Sequence, residues 1–164
     1  MINSTKIQLP IPLVLLLSLS FMAILSCSSK SDSPEDMVRD ILKRAEIAAE
    51  ARDVGVFREI ISANYTDKSR HDKKAIIGIL RYYFLRNRSI HLFTRITTVE
   101  FPHPEKAEVT MFLAMAGRPI ANADELLLIR ADLYRFDIAF ADEGDNDWKV
   151  IGAGWRRAER KDFI

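Results

Sequence analysis

The sequence predicts an α+β fold in which three helices near the amino-terminal end pack on a curved antiparallel sheet. From Ser33 to Asn87, apolar residues recur every three or four positions, as they do on one face of a helix. After Arg88 the pattern changes, and apolar residues alternate with polar ones, which is typical of half-buried strands. A run of helices followed by a run of strands favours two separate layers over alternating βαβ units.

Each predicted helix begins at a capping residue. Ser33-Pro34-Glu35-Asp36 offers an N-cap serine, a proline at the first helical position and an acid three residues after the cap. Asp53 caps the second helix, and the third runs from Asp72 to Asn87. The three apolar stripes are Val38, Ile41, Leu42, Ala45 and Ala48; Phe57, Ile60 and Ile61; and Ile76, Ile79, Leu80, Tyr83 and Phe84.

Four predicted strands follow, joined by short connections that favour an antiparallel meander. They cover Ser89–Phe101, Ala107–Met115, Leu126–Ala141 and Trp148–Ala158. The connections are a break at Pro102-His103-Pro104, a polar loop at Gly117–Glu125 and a turn at Glu143–Asp147. Gly152 and Gly154 lie inside the last strand, so they indicate a bulge or close packing and not a phosphate loop.

The amino-terminal segment has the parts of a secretory signal. Lys6 gives a weakly positive start, and the apolar run Leu9–Leu25 leads to a small residue, Ser26. Ile24-Leu25-Ser26-Cys27 resembles the lipobox of bacterial lipoproteins, in which the cysteine is acylated and everything before it is removed. The alternatives are an uncleaved membrane helix, which Pro10 and Pro12 disfavour, and a signal peptide cut elsewhere.

This resemblance implies a domain organisation and a location. Residues 1–26 are then the signal peptide, residues 27–34 the acylated cysteine with a polar tether, and residues 35–164 a single domain. Cys27 would carry fatty acyl chains such as palmitate. Because Ser28 and not Asp follows it, the family pattern implies the periplasmic face of the outer membrane of a bacterial cell envelope. Cys27 is the sole cysteine, so its acylation would exclude thiol nucleophiles and thiolate metal sites.

The charge balance argues against a nucleic-acid partner. Residues 1–26 contain one base, Lys6, and no acid, so the rest of the chain carries equal numbers of basic and acidic residues. A nucleic-acid-binding domain is expected to show a strong basic excess.

The order of elements resembles the nuclear transport factor 2 family, a cystatin-like cone fold that includes SnoaL-like and ketosteroid isomerase groups. The resemblance covers roughly residues 35–158. It implies a cone cavity between helices and sheet, used for acid–base chemistry or for ligand binding, and an outer sheet face that often forms a homodimer. The segments that carry it are Ala45–Tyr65, Ala107–Val109, Ala131–Phe136, Trp148–Ile151 and Trp155.

Four residues are candidates for acid–base chemistry in such a cavity. Tyr65 and Asp67 follow the second helix, near the place where the isomerase group has its general base. A carboxylate in an apolar pocket can have a raised pKa and accept a proton. Asp67 lies in a charged stretch, however, which favours the alternative of a loop acid paired with neighbouring bases. Tyr83 and Tyr134 either direct hydroxyls into the pocket or are ordinary core tyrosines.

No metal site or cofactor is predicted. His71, His91 and His103 share no metal-ligand spacing, and no paired-histidine helix motif occurs. The chain also has no Gly-x-Ser-x-Gly nucleophile elbow.

The outer face of the sheet is a candidate interface. Alternation places aromatic, arginine and acidic residues on it, a mixture enriched at protein interfaces. The alternative is an ordinary solvated face. The candidate residues are His91, Phe93, Arg95, Phe112, Arg135 and Asp137.

These observations predict a lipid-anchored binding or interaction module without enzymatic activity, whose partner is a protein or a small apolar ligand. The alternative is an isomerase- or dehydratase-like enzyme that works through Tyr65, Asp67, Tyr83 and Tyr134. An open cone pocket with an ionisable group inside would favour the enzyme, and a cone filled by apolar side chains would exclude it.

Overall fold

The structure is a computed structural model that describes residues 33–163. The predicted signal peptide, Cys27 and nearly all of the tether lie outside the described residues. Within them, no helix is long and apolar enough to cross a membrane. The helices are α1 (Pro34–Ala51), α2 (Val54–Ile60) and α3 (Lys73–Arg86), and the strands are β1 (His91–His103), β2 (Lys106–Ala116), β3 (Asp132–Asp142) and β4 (Trp148–Arg157).

The predicted helix caps are confirmed. The Ser33 hydroxyl accepts a hydrogen bond from the Asp36 N–H at 3.1 Å, and the Asp36 carboxylate in turn accepts from the Ser33 N–H at 3.2 Å. Asp53 accepts from the Gly55 N–H, and Asp72 accepts from the Ala75 N–H, both at 2.7 Å. Each cap satisfies N–H groups that a helix end leaves without an intrahelical partner.

The four strands form one antiparallel sheet in the order β1-β2-β3-β4, so the predicted α+β architecture is confirmed. Alternate residues of β2 and β3, among them Val109 and Phe140, are buried against the helices. Val38 of α1 and Ile60 of α2 belong to the same core cluster. The main core therefore lies between the helix layer and one face of the sheet.

A second, smaller core covers part of the outer face. Leu126, Ile129 and Phe163 are buried with Ala114, and Phe93 and Phe112 pack against them. The prediction that residues 126–131 belong to the third strand is therefore wrong. Ala123–Leu127 is a 3-10 turn and β3 begins at Asp132, because the apolar residues before it fold onto the outer face.

The predicted break at Pro102 is also wrong by two residues. β1 continues through Pro102 to His103, and the turn falls at Pro104 and Glu105. β1 is an edge strand, and its pairing with β2 is irregular between Glu100 and His103. A proline is tolerated at such a position because no ladder hydrogen bond has to be made there.

Gly152 of β4 marks close packing, as predicted, whereas Gly154 does not. The segment between α2 and α3 crosses the outer edge of β4, where the Ser62 and Thr66 N–H groups donate to the carbonyls of Val150 (2.9 Å) and Ile151 (3.0 Å). A Cβ at Gly152 would lie 2.9 Å from the Thr66 carbonyl oxygen. The pairing of β3 with β4 also shifts register beside Gly152, which is a bulge.

Candidate functional site

A cavity of about 350 Å³ lies between the helices and the concave face of the sheet. Its wall is almost entirely aliphatic and aromatic, and every helix and the strands β1 to β4 contribute to it. The cone is therefore open and apolar. Representative lining residues are Leu42, Ala45, Leu80, Phe84, Met111 and Phe136.

Two of the residues that line the cavity are also partly exposed to solvent. Ile79 of α3 is 41% exposed, and Trp155 of β4 is 42% exposed, although both line the cavity. Such exposure is unusual for large apolar side chains in a closed core. We call Ile79 and Trp155 the mouth of the cavity.

Three of the four candidate catalytic residues line this one cavity, namely Tyr65, Tyr83 and Tyr134. Tyr65 is 4% exposed, and within residues 33–163 its hydroxyl has no hydrogen-bond partner. Burial, and then the negative charge of Asp67, raise the pKa of Tyr65 to about 12. The Tyr65 hydroxyl is thus held neutral; the Ala153 backbone and the Asp67 carboxylate lie close enough to act on it, but it makes no hydrogen bond of good geometry within residues 33–163.

The other two tyrosines make defined contacts. The Tyr83 hydroxyl donates to the Met115 sulfur at 3.0 Å, and burial raises the pKa of Tyr83. The ring of Tyr134 lies 4.9 Å from the guanidinium carbon of Arg157, a cation–π contact. Tyr83 and Met115 also line an adjoining, more polar pocket of about 230 Å³.

Asp67 is not among the residues that line the cavity. Its carboxylate accepts from the N–H groups of Ser69 (2.8 Å) and His71 (3.0 Å), and it lies 2.8 Å from His71 Nδ1. The side chain is 3% exposed, because its own loop folds around it. Burial alone would raise the pKa of Asp67, but the hydrogen bonds and charge of His71 outweigh it and lower the pKa. A carboxylate with a lowered pKa is a weak proton acceptor.

Glu46 is a polar lining residue that the sequence pattern did not single out. It lies on α1, one turn after Leu42, and its side chain is 18% exposed. The Thr94 hydroxyl of β1 donates to Glu46 Oε2 at 2.5 Å, and Lys43 Nζ lies 2.6 Å from Oε1. The hydrogen bond and charge of Glu46 raise the pKa of Lys43. The sequence signal that could have identified Glu46 is an acid next to the apolar stripe of α1.

The candidate interface residues fall into two groups. Phe93 and Phe112 pack under the second core, and the Phe112 ring lies 5.6 Å from that of Phe163. Arg95 is exposed, and Arg135 is ion-paired with Asp137 at 2.8 Å. His91 of β1 is half-buried. Only part of the predicted face is therefore open to a partner.

No metal centre is formed in the part of the chain that the structure describes. Residues 33–163 contain no group of three or more His, Cys, Asp or Glu side chains arranged to hold an ion.

No family model matches the chain, and no curated protein matches it. Solved structures do. Bd1075 of Bdellovibrio bacteriovorus is 16% identical with a TM-score of 0.54 over 79% of this chain, which spans 44% of the length of Bd1075. An NTF2-like protein from Cytophaga hutchinsonii is 15% identical with a TM-score of 0.55, covering 77% of this chain and all of that one.

A candidate scytalone dehydratase from Novosphingobium aromaticivorans is 10% identical with a TM-score of 0.61, covering 75% of this chain and 83% of that one. At these identities the likeness shows the fold alone. The chain has the cystatin-like cone of NTF2-like proteins.

Proposed function

We propose that the cone cavity binds one small, largely apolar molecule and that the domain is a binding module without enzymatic activity. The observation that carries this proposal is the open cavity of about 350 Å³ with an almost wholly apolar wall. Ligand sites in proteins are concave, mostly apolar and of about this size or larger. An empty apolar cavity weakens the packing of the residues around it, so a ligand that fills it stabilises the fold.

The polar groups of the wall restrict the chemistry of that ligand. Glu46 is already paired with Lys43 and Thr94, and Tyr83 with Met115. The Tyr65 hydroxyl alone among the lining tyrosines is both buried and without a partner in residues 33–163. A ligand with one acceptor group near Tyr65 would remove the cost of leaving that donor unpaired. We infer an apolar body with a single neutral hydrogen-bond acceptor.

This proposal is tested on the protein isolated from membranes. Native mass spectrometry, followed by organic extraction, is expected to find one apolar small molecule per chain. A chain that arrives empty, and that binds no member of a library of small apolar compounds, would contradict the proposal.

We also propose that Cys27 is acylated and holds the domain at the periplasmic face of the outer membrane. The support is the lipobox-like Ile24-Leu25-Ser26-Cys27, the absence of any other cysteine from the chain, and the polar residues that follow. Several acyl chains hold a protein on a bilayer stably, whereas one does so only marginally. Cys27→Ser is expected to block processing or release the protein from membranes. Unchanged membrane retention and unchanged size would contradict the anchor.

A second candidate function is acid–base catalysis of an isomerase or dehydratase type. The observations in its favour are the open cavity with two ionisable groups in its wall, Glu46 and the Tyr65 hydroxyl, and the charge of Asp67, which acts on that hydroxyl. Binding without catalysis is the preferred proposal because Glu46 is ion-paired with Lys43 and Tyr65 is held neutral. The similar fold of a candidate scytalone dehydratase is compatible with it. This function requires Tyr65→Phe to abolish turnover of a bound ligand, whereas the binding function leaves the ligand chemically unchanged in both proteins.

A homodimer through the open part of the outer sheet face also remains a proposal. Its support is the exposed Arg95 together with the Arg135–Asp137 pair on that face. Sedimentation of the wild-type chain and of Arg95→Glu tests it, since a dimer through this face should dissociate when an exposed arginine on it is reversed in charge.

A further inference from the structure

The positive charge of this nearly neutral chain is concentrated around α3. The stretch 68–88 contains one acid, Asp72, whose carboxylate caps the helix. The whole chain, in contrast, carries a net charge of only +1. The seven bases of the stretch are Lys68, Arg70, Lys73, Lys74, Arg81, Arg86 and Arg88.

These seven bases are not neutralised within the fold. In residues 33–163 the ion pairs are made by other bases, such as Arg39, Lys43 and Arg157. None of the seven has an acidic partner there. Arg86 contacts Tyr82 instead: its Nη1 donates to the Tyr82 hydroxyl at 2.6 Å, and its guanidinium carbon lies 5.5 Å from the ring centroid. The charge around α3 is therefore available to an external partner.

The exposed side of α3 is apolar at its centre. Ile79 is 41% exposed, Tyr82 60% and Leu85 78%, and their spacing of three places them on one side of the helix. The same geometry places Lys74 and Arg81 along one border of this stripe, whereas Arg86, seven residues after Ile79, continues the stripe at the end of the helix. The opposite side of α3, with Ile76, Ile77 and Phe84, is buried in the core. We call Lys74, Ile79, Arg81, Tyr82, Leu85 and Arg86 the α3 face.

We propose that the α3 face docks on an anionic lipid surface. Apolar and aromatic side chains bordered by bases are the composition of helices that lie in a membrane interface, where Tyr favours the headgroup level. An acidic protein would match the charge, but it would not account for the exposed run of Ile79, Tyr82 and Leu85 beside the bases. Each base near such a surface strengthens binding by about fivefold.

The inference rests in part on the proposed anchor at Cys27. If Cys27 carries the lipid, Ser28–Ser33 spans at most about 20 Å when fully extended, so the domain stays within reach of the bilayer. A weak docking surface then suffices, because the tether keeps its effective concentration high. Ile79 belongs both to the α3 face and to the mouth of the cavity. Docking therefore brings the Ile79 side of the mouth to the lipid surface, a source of apolar ligands.

The test compares two exposed leucines. Leu85 on the α3 face is 78% exposed, and Leu128, between β2 and β3, is 84% exposed. Leu85→Cys and Leu128→Cys are each labelled with an environment-sensitive fluorophore in the full chain. The labelled proteins are placed on phosphatidylcholine vesicles, with and without phosphatidylglycerol, that contain a lipid-borne nitroxide quencher. The fluorophore at position 85 should be quenched more strongly than the fluorophore at position 128. This difference should appear only when phosphatidylglycerol is present.

In a Cys27→Ser background, where no lipid tether holds the chain on the vesicle, Arg81→Gln combined with Arg86→Gln should raise the vesicle concentration needed for half-maximal quenching by at least tenfold. Equal quenching at the two positions, quenching that ignores lipid charge, or cross-linking of position 85 to a protein in the native envelope would overturn the docking.

Labelling stoichiometry separates this outcome from failure of the anchor. One fluorophore per chain means that Cys27 is blocked, and two mean that it is free. In the latter case the anchor is rejected, and the same vesicle comparison in a Cys27→Ser background decides the docking. Quenching at position 85 that still depends on lipid charge keeps the docking, and its absence overturns it. Neither the fluorophore quenching nor the labelling stoichiometry depends on the cavity ligand.

Discussion

At the scale of single residues, Tyr65 carries the least satisfied group at the cavity. Its hydroxyl is buried and unpartnered within residues 33–163, and its pKa is raised to about 12 by burial and by the charge of Asp67. Leaving a buried donor unpaired costs about 1–3 kcal/mol. This cost is tolerated if a ligand supplies the missing partner.

Tyr65→Phe should therefore raise the free energy of unfolding of the ligand-free protein by about 1–3 kcal/mol, since it removes the unpaired hydroxyl and keeps the ring. Urea denaturation measures the change. Tyr83→Phe is the matched control, because its hydroxyl bonds to Met115 and its removal should bring no gain. A loss of stability in Tyr65→Phe would mean that the hydroxyl has a partner after all.

Asp67 makes stability depend on pH. Its folded-state pKa is lowered, so its contribution is present above the unfolded-state pKa of about 3.9 and is lost as the pH falls through the folded-state value. Asp67→Asn should reduce the loss of stability on acidification below about pH 4. Thermal unfolding across this range measures it. Asp40→Asn, at an exposed position of α1, is the matched control for the loss of one carboxylate.

At the scale of elements, the edge of β4 is closed by the segment that joins α2 to α3. Backbone hydrogen bonds from Ser62 and Thr66 to Val150 and Ile151 hold this segment against the strand. The crossing requires that Gly152 have no side chain, because its Cβ would meet a backbone carbonyl at 2.9 Å. The same segment carries Tyr65 and so fixes its ring at the cavity wall.

Gly152→Ala should cost about 1–3 kcal/mol of stability, since a backbone atom cannot move aside as a side chain can. Chemical denaturation is the measurement. Gly154→Ala is the matched control two residues along β4: its nearest contact would be 4.0 Å, an ordinary van der Waals distance. Equal effects of the two substitutions would contradict the tight crossing.

Elements whose signals are local could be predicted from the sequence. The caps Ser33, Asp53 and Asp72 act within three residues, so the starts of all three helices follow from short-range patterns. The start of β3 could not be predicted in this way. Leu126 and Ile129 form an apolar run with the strand that follows, yet they fold back onto the outer face. That choice depends on contacts with Phe163, far away in the chain.

At the scale of the whole molecule, the cavity itself could not be predicted from periodicity. Alternation shows that Met111 and Phe136 face the helices, but it does not show whether the space between the layers is filled. That depends on how the volumes of side chains from three helices and four strands add up. Glu46 illustrates the same limit: its partner Thr94 lies 48 residues away.

The domain combines an apolar cavity, a mouth beside α3 and an uncompensated basic face on the same helix. α3 supplies Leu80 and Phe84 to the cavity wall and Ile79 to the mouth, while Arg81 and Arg86 face outward. Lipid anchoring at Cys27, docking of the α3 face and binding of an apolar ligand are three separate proposals. Each can fail without the others, but together they describe a module that takes a lipophilic molecule at a membrane surface.

The central claim is that the cone cavity holds the ligand. Titration of the protein with an apolar fluorescent probe, compared between Ala45→Phe and Ala51→Phe, tests it most directly. Ala45 lines the cavity, whereas Ala51 is exposed at the end of the same helix. We expect one probe per wild-type chain, at least tenfold weaker binding in Ala45→Phe and unchanged binding in Ala51→Phe. Equal binding by both variants, in chains that remain folded, would contradict the claim.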